Sequence, residues 1–153
     1  MNTKEIELLK DFLIKAKKKT YASLIKIPTY YSHGGRGHKY SDKDLIYKDC
    51  YYGERSFAGQ ELVIKKNKTI WSMTYSGSVN SEKIRKKCYT FLKKALRNLP
   101  KEFPIRGPKK LVNGSWKYEN NYKGNLESFE GVETISFEGK EVYKLNYHGG
   151  FLE

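Results

Sequence analysis

An α+β fold is expected, built from two internally duplicated α-β-β-β units: an antiparallel sheet of about six strands with two amphipathic helices packed on it. Three observations lead there. The stretch "ERSFAGQELVIKKNKTIWSMTYSG" from Glu54 to Gly77 returns in altered form as "LESFEGVETISFEGKEVYKLNYHG" from Leu126 to Gly149. Two segments carry apolar residues at helical spacing, one ahead of each copy. The turns inside each copy, "KNK" and "EGK", are too short for a crossover, so the strands they join must be antiparallel.

The first helix spans about residues 2–18. Ile6, Leu9, Phe12, Leu13 and Ala16 share one face. Asn2 followed by Glu5 fits a capping box, and Lys15, Lys17 and Lys18 suit the negative end of the helix dipole. "PTYYSHGGRGHKYS" (Pro28–Ser41) reads as a long loop from its glycines and polar residues. Strands are expected at Asp44–Tyr52, Arg55–Lys65 and Thr69–Tyr75. Ser81–Leu99 is the second helix, with Ile84, Cys88, Phe91, Leu92, Ala95, Leu96 and Leu99 facing inward. Lys83, Lys86, Lys87, Lys93, Lys94 and Arg97 are placed on its outer face. The prolines of "PKEFPIRGP" end that helix in a loop. Strands at Ser115–Tyr122, Leu126–Phe137 and Glu141–Tyr147 complete the second unit. The whole is expected to be one domain of two pseudo-symmetric halves, about 1–78 and 79–153, related by a pseudo-twofold axis.

The chain has 153 residues, enough for a core without staples. Two cysteines, Cys50 and Cys88, lack metal-like spacing and fit a reducing cytosol, so a cytoplasmic location is expected. No apolar run is long enough for a membrane helix, and the N-terminus lacks a signal-peptide pattern, so no membrane partner is expected. The net charge of +13 invites a polyanion. Only five of the 30 basic residues are Arg, however, and bidentate base readout leans on Arg. A Lys-, Tyr- and Ile-rich composition is also what an AT-rich genome writes on any surface.

Alternation puts Trp71, Met73 and Tyr75 on one face of a strand, and Tyr143, Leu145 and Tyr147 on the same face of its counterpart. These faces serve either as core or as the wall of an aromatic pocket between the halves. Glu61 and Glu133 are less ordinary, because each shares a face with Phe, Gly and a β-branched residue. Two arrangements follow. Each preceding glycine is a bulge that turns the carboxylate outward, or the pseudo-twofold brings the two carboxylates together around a ligand and raises their pKa values. Arg106 in "PIRGP" is placed to meet an anion or to stiffen a connector. The candidate ligand site is therefore Glu61, Glu133, Trp71, Tyr75, Tyr143, Tyr147 and Arg106. The histidines His33, His38 and His148 match no metal motif, and no metal or other cofactor is called for. No catalytic motif stands out. An enzyme is the less favoured reading, its most plausible form being a two-carboxylate site at Glu61 and Glu133.

"KDFLIKAKKKTYAS", "YYGERSFAGQELVIKKNKTIWSMTYSG", "LPKEFPIRGP" and "FEGKEVYKLNYHGG" together resemble an uncharacterised bacterial family carried as a domain of unknown function. The likeness covers nearly the whole chain, with WSMTYSG and PIRGP its most specific segments. The resemblance implies a domain that stands alone or follows an Xre-type helix-turn-helix in transcriptional regulators, hence an accessory or sensor-like module. It brings no catalytic residues with it. This sequence starts at the domain's first helix, so the stand-alone form is the one expected. Three functions remain in play: binding of a small, anionic or nucleotide-like molecule, binding of nucleic acid through the lysine faces, and docking onto a protein partner.

Overall fold

Six tight hairpins organise the chain, and in four of them the backbone conformation of the turn explains its sequence. Lys66–Asn67 and Glu138–Gly139 both adopt positive φ at two successive residues, the type I′ geometry that matches strand twist. Lys43 and Gly114 supply the left-handed residue in two others. The computed structural model describes residues Met1–Glu153. In chain order it contains α1 (Thr3–Lys19), β1 (Thr29–Tyr30), β2 (Arg36–Asp42), β3 (Leu45–Gly53), β4 (Ser56–Lys65) and β5 (Lys68–Val79). Then follow α2 (Glu82–Leu96), β6 (Lys110–Asn113), β7 (Trp116–Asn125), β8 (Ser128–Phe137) and β9 (Lys140–Phe151).

All nine strands form one antiparallel sheet in the order β1-β2-β3-β4-β5-β9-β8-β7-β6. This corrects the expectation of about six strands; the mixed helix-and-sheet composition stands. The three additional strands are β1, β2 and β6, all at or next to the sheet edges. β2 lies inside the segment expected to be loop. Its glycines are compatible with a strand because Gly37 sits where a Cβ would press on the Tyr31 ring and the Asp49 carbonyl.

α1 carries the capping box at Asn2 and Glu5, and α2 ends at Leu96, short of Leu99. Both helices cover the same sheet face as the inward stripe. Leu9, Phe12, Leu13 and Ala16 of α1, and Cys88, Phe91, Leu92, Ala95 and Leu96 of α2, join Tyr47, Trp71, Met73, Tyr118, Tyr143 and Leu145 in a single core. Neither helix is long and apolar enough to cross a membrane.

The central pair sets the geometry. β5 and β9 run antiparallel with Tyr75 directly opposite Tyr147. On one side β4 pairs Gly59 with Tyr75, and on the other β8 pairs Gly131 with Tyr147. Register shifts fall between Val63 and Ile64 in β4 and between Ile135 and Ser136 in β8, positions 72 residues apart. The ladder is unbroken at Gly59 and Gly131, so neither glycine is a bulge. Each instead leaves room for a ring: a Cβ on Gly59 would overlap Tyr75, and one on Gly131 would overlap Tyr147.

Candidate functional site

The Glu133 side is complete within the chain. Glu133 is 0% exposed. It receives two parallel bonds from Arg106, Nε at 2.9 Å and Nη2 at 2.6 Å, plus the hydroxyls of Tyr118 (2.5 Å) and Tyr143 (2.7 Å). Four donors satisfy its lone pairs, which is what a buried carboxylate requires. Burial works against the Arg106 charge, but Glu133 outweighs it and holds that guanidinium well above its ordinary pKa. Next to this cluster Asn120 accepts from the Tyr147 hydroxyl (2.7 Å) and donates from Nδ2 to the Gly107 carbonyl (3.2 Å). Phe103 of the same loop stacks on Tyr122 with ring centroids 3.9 Å apart. The loop after α2 thus fills the space over β7 and β8 with its own Phe103, Ile105 and Arg106, all buried.

The Glu61 side has the same plan. Tyr47, Asp49 and Tyr51 of β3 pair with Val63, Glu61 and Gly59, just as Tyr118, Asn120 and Tyr122 of β7 pair with Ile135, Glu133 and Gly131. Lys17 at the end of α1 donates to Glu61, as Arg106 does to Glu133. The Tyr75 hydroxyl donates to Asp49 Oδ1 at 2.7 Å, as Tyr147 does to Asn120. Three differences matter. Trp71 stands where the other side has Tyr143, and its Nε1 has no hydrogen-bond partner. Asp49 replaces Asn120, and its Oδ2 accepts no hydrogen bond from the protein. The connector after α1 does not fill the space above: Leu24, Ile25 and Ile27 point to solvent, Ile25 at 90% exposure.

What remains is a cavity of about 310 Å³ between the sheet and both helices. That lies at the lower end of the small-ligand range. Tyr47, Asp49, Glu61 and Tyr75 line it from the sheet, and Lys17 from α1. Tyr21 and Tyr51 form an edge-to-face pair at 5.9 Å in its wall. Arg36 and Arg85, both paired with the exposed Glu54, also line it. Lys93 lies 5.1 Å over the Tyr21 ring and makes no ion pair.

The electrostatics follow from burial. Asp49 is pushed up to about 7, first by burial and then by the Glu61 charge; Tyr75, Lys17 and Arg106 pull the other way. Burial pulls the Lys17 ammonium down, and Glu61 offsets part of that. His38, opposite Asp49 in the β2–β3 ladder, is lowered to about 4 by burial and by Lys93 and Lys26, so it is neutral near pH 7.

The residues singled out from the sequence divide. Glu61, Tyr75, Arg106 and Tyr143 line the cavity. Trp71 and Tyr147 are buried beside it in the core, and Glu133 is buried in its own cluster. The two glutamates neither turn outward nor meet. β5 and β9 lie between their strands, a separation of about 14 Å across the sheet from three strand spacings. On α2, Lys83, Lys86, Lys87 and Lys94 are exposed as expected. Lys93 and Arg97 are not on the outer face: Lys93 turns to Tyr21, and Arg97 donates to the Ala22 carbonyl at 3.1 Å. His33, His38 and His148 sit apart, against Tyr31, against Tyr51 and bonded to Thr74.

Residues 49–152 match the family described as Domain of unknown function (DUF5680). The chain belongs to this family. Asp49, Glu61, Arg106 and Glu133 of the DUF5680 chain fall within the matched stretch, while Lys17 and the β1–β2 hairpin precede it. No curated protein and no solved structure matches the chain.

Proposed function

We propose that this DUF5680 chain is a non-enzymatic, sensor-like module that binds a small molecule in the cavity above β3–β5. The observation that carries the reading is the contrast between its two sides. Equivalent sheet positions are capped by the chain's own Phe103–Arg106 loop on one side and left as a tyrosine-walled cavity with an incompletely bonded carboxylate on the other. Aromatic walls with a few convergent polar groups are the usual make-up of a ligand pocket. Lys93, Arg36 and Arg85 favour an anionic group on the ligand. The resemblance to domains that follow Xre-type helix-turn-helix modules fits an accessory role in the bacterial cytosol.

Native mass spectrometry of freshly purified protein tests this. A discrete small adduct, lost on Asp49→Leu substitution, is the expected result. Bare protein from every preparation, with no stabilisation by any member of a small-acid library, counts against the reading.

Nucleic-acid binding is the second reading, favoured by the exposed row Lys83, Lys86, Lys87 and Lys94 on α2. It requires affinity that falls steeply as salt rises; a flat salt response sinks it. Docking onto a protein through an exposed tryptophan has less support, because Trp71 is fully buried and Trp116 packs on Phe91 and Phe137.

A further inference from the structure

The filled side of the sheet serves as a template for the ligand of the empty side. Asn120 and Asp49 occupy matching places. Each lies opposite a buried glutamate, and each takes a tyrosine hydroxyl on Oδ1. The remaining atom of Asn120, Nδ2, donates to the Gly107 carbonyl. The remaining oxygen of Asp49, Oδ2, accepts no hydrogen bond from the protein, and Asp49 lines the cavity. We infer that the cavity takes a planar molecule whose ring or amide carbonyl accepts a hydrogen bond from the Asp49 carboxylic acid, with an anionic substituent directed to Lys93.

The inference rests on the reading of this cavity as a ligand site and adds the ligand's chemistry. The carbonyl takes the place that Gly107 fills on the other side. The planar body follows from tyrosine walls, which receive flat rings face-on or edge-on. The anion follows from Lys93, the lining cation that has neither a carboxylate nor a carbonyl partner. For Asp49 to donate, it must carry its proton. Around it stand Glu61 from β4, which opposes ionisation, and Lys17 from α1, Arg106 from the α2–β6 loop and Tyr75 from β5, which favour it. His38 from β2 is neutral between pH 6 and 8, and Lys93 of α2 acts on His38. The balance leaves Asp49 titrating near 7, so the donor form dominates at pH 6 and is the minority at pH 8.

Inosine monophosphate and adenosine monophosphate are the probes. They share the purine frame and the phosphate and differ at one edge, a carbonyl beside a ring N–H against an exocyclic amine beside an unprotonated ring nitrogen, so phosphate ionisation cancels in their ratio. Calorimetric titration at pH 6 and pH 8 is expected to show inosine monophosphate binding more tightly at pH 6. Its advantage should fall about tenfold by pH 8, as the competent fraction of Asp49 falls from roughly 90% to 10%. Asp49→Asn, the residue present on the filled side, should abolish that pH dependence. Equal or reversed preference at pH 6, a ratio that does not move with pH, or an unchanged slope in Asp49→Asn overturns the inference. If neither nucleotide binds while native mass spectrometry shows another adduct, this ligand class is wrong and the cavity reading survives. If no adduct appears either, both fall.

Discussion

At the scale of single residues, the two buried carboxylates differ in what holds them. Arg106 cannot shed its proton, so Glu133→Ala leaves a buried charge without a partner and should destabilise by about 3–5 kcal/mol. Lys17 is already lowered in pKa, so Glu61→Ala can be relieved by loss of the ammonium proton and should be milder. Denaturant midpoints of the two variants test this, and equal losses contradict it. Gly59→Ala and Gly131→Ala each drive a methyl into a tyrosine ring and should lower stability by about 1–3 kcal/mol, read from the same midpoints. Asp49 sets a pH signature. Its folded pKa lies above the unfolded value, so the native state holds the extra proton between about 4 and about 7. Stability should therefore fall as pH rises through that window and level off above it, and Asp49→Asn should flatten the profile; melting temperatures against pH report it. Only part of this site was legible beforehand. Glu61 and Glu133 were conspicuous because a carboxylate sat in an apolar alternation. Asp49 and Asn120 were missed, although "YKDCY" and "YENNY" place Tyr, Asp or Asn, and Tyr in the same phase two residues apart. Lys17 looked like a dipole partner, yet it extends the stripe of Leu9, Leu13 and Ala16 and is buried for that reason.

At the scale of elements, periodicity worked where the element was long and one face was buried. α1 and α2 begin and end within a few residues of expectation, because a stripe of core residues marks both and a capping box marks the start of α1. Asn2→Ala should remove the capping bond that Asn2 Oδ1 accepts from the Glu5 N–H and destabilise by about 1 kcal/mol, measured by equilibrium unfolding. β1, β2 and β6 were not legible. β1 has two residues and β6 four, too few for an alternation to register, and β2 is broken up by glycine, lysine and serine. Their pairing comes from neighbours rather than from propensity. The connector after α1 contrasts with all of these. Leu24, Ile25 and Ile27 are apolar yet largely exposed. Ile25→Ser should change stability by no more than about 0.5 kcal/mol; a large loss in the unfolding midpoint would show a packing role in solution.

At the scale of the whole molecule, the two sides of the sheet meet only along the β5–β9 ladder and through the shared core beneath the helices. The repeated segments carry the central four strands, β4, β5, β8 and β9; β3 and β7 are legible from their own alternation, and the outer three lie outside the repeat. The completed sheet ends in very short strands, β1 and β6, which offer little template for another chain. Its interior join is different. β9 follows every other strand in chain order, yet it lies between β5 and β8, pairing with β5 over Tyr143–Phe151 and with β8 over Lys140–Gly150. During synthesis, β5 and β8 must therefore leave the ribosome with long unsatisfied edges, and those edges stay open until the segment Lys140–Phe151 has emerged to close them.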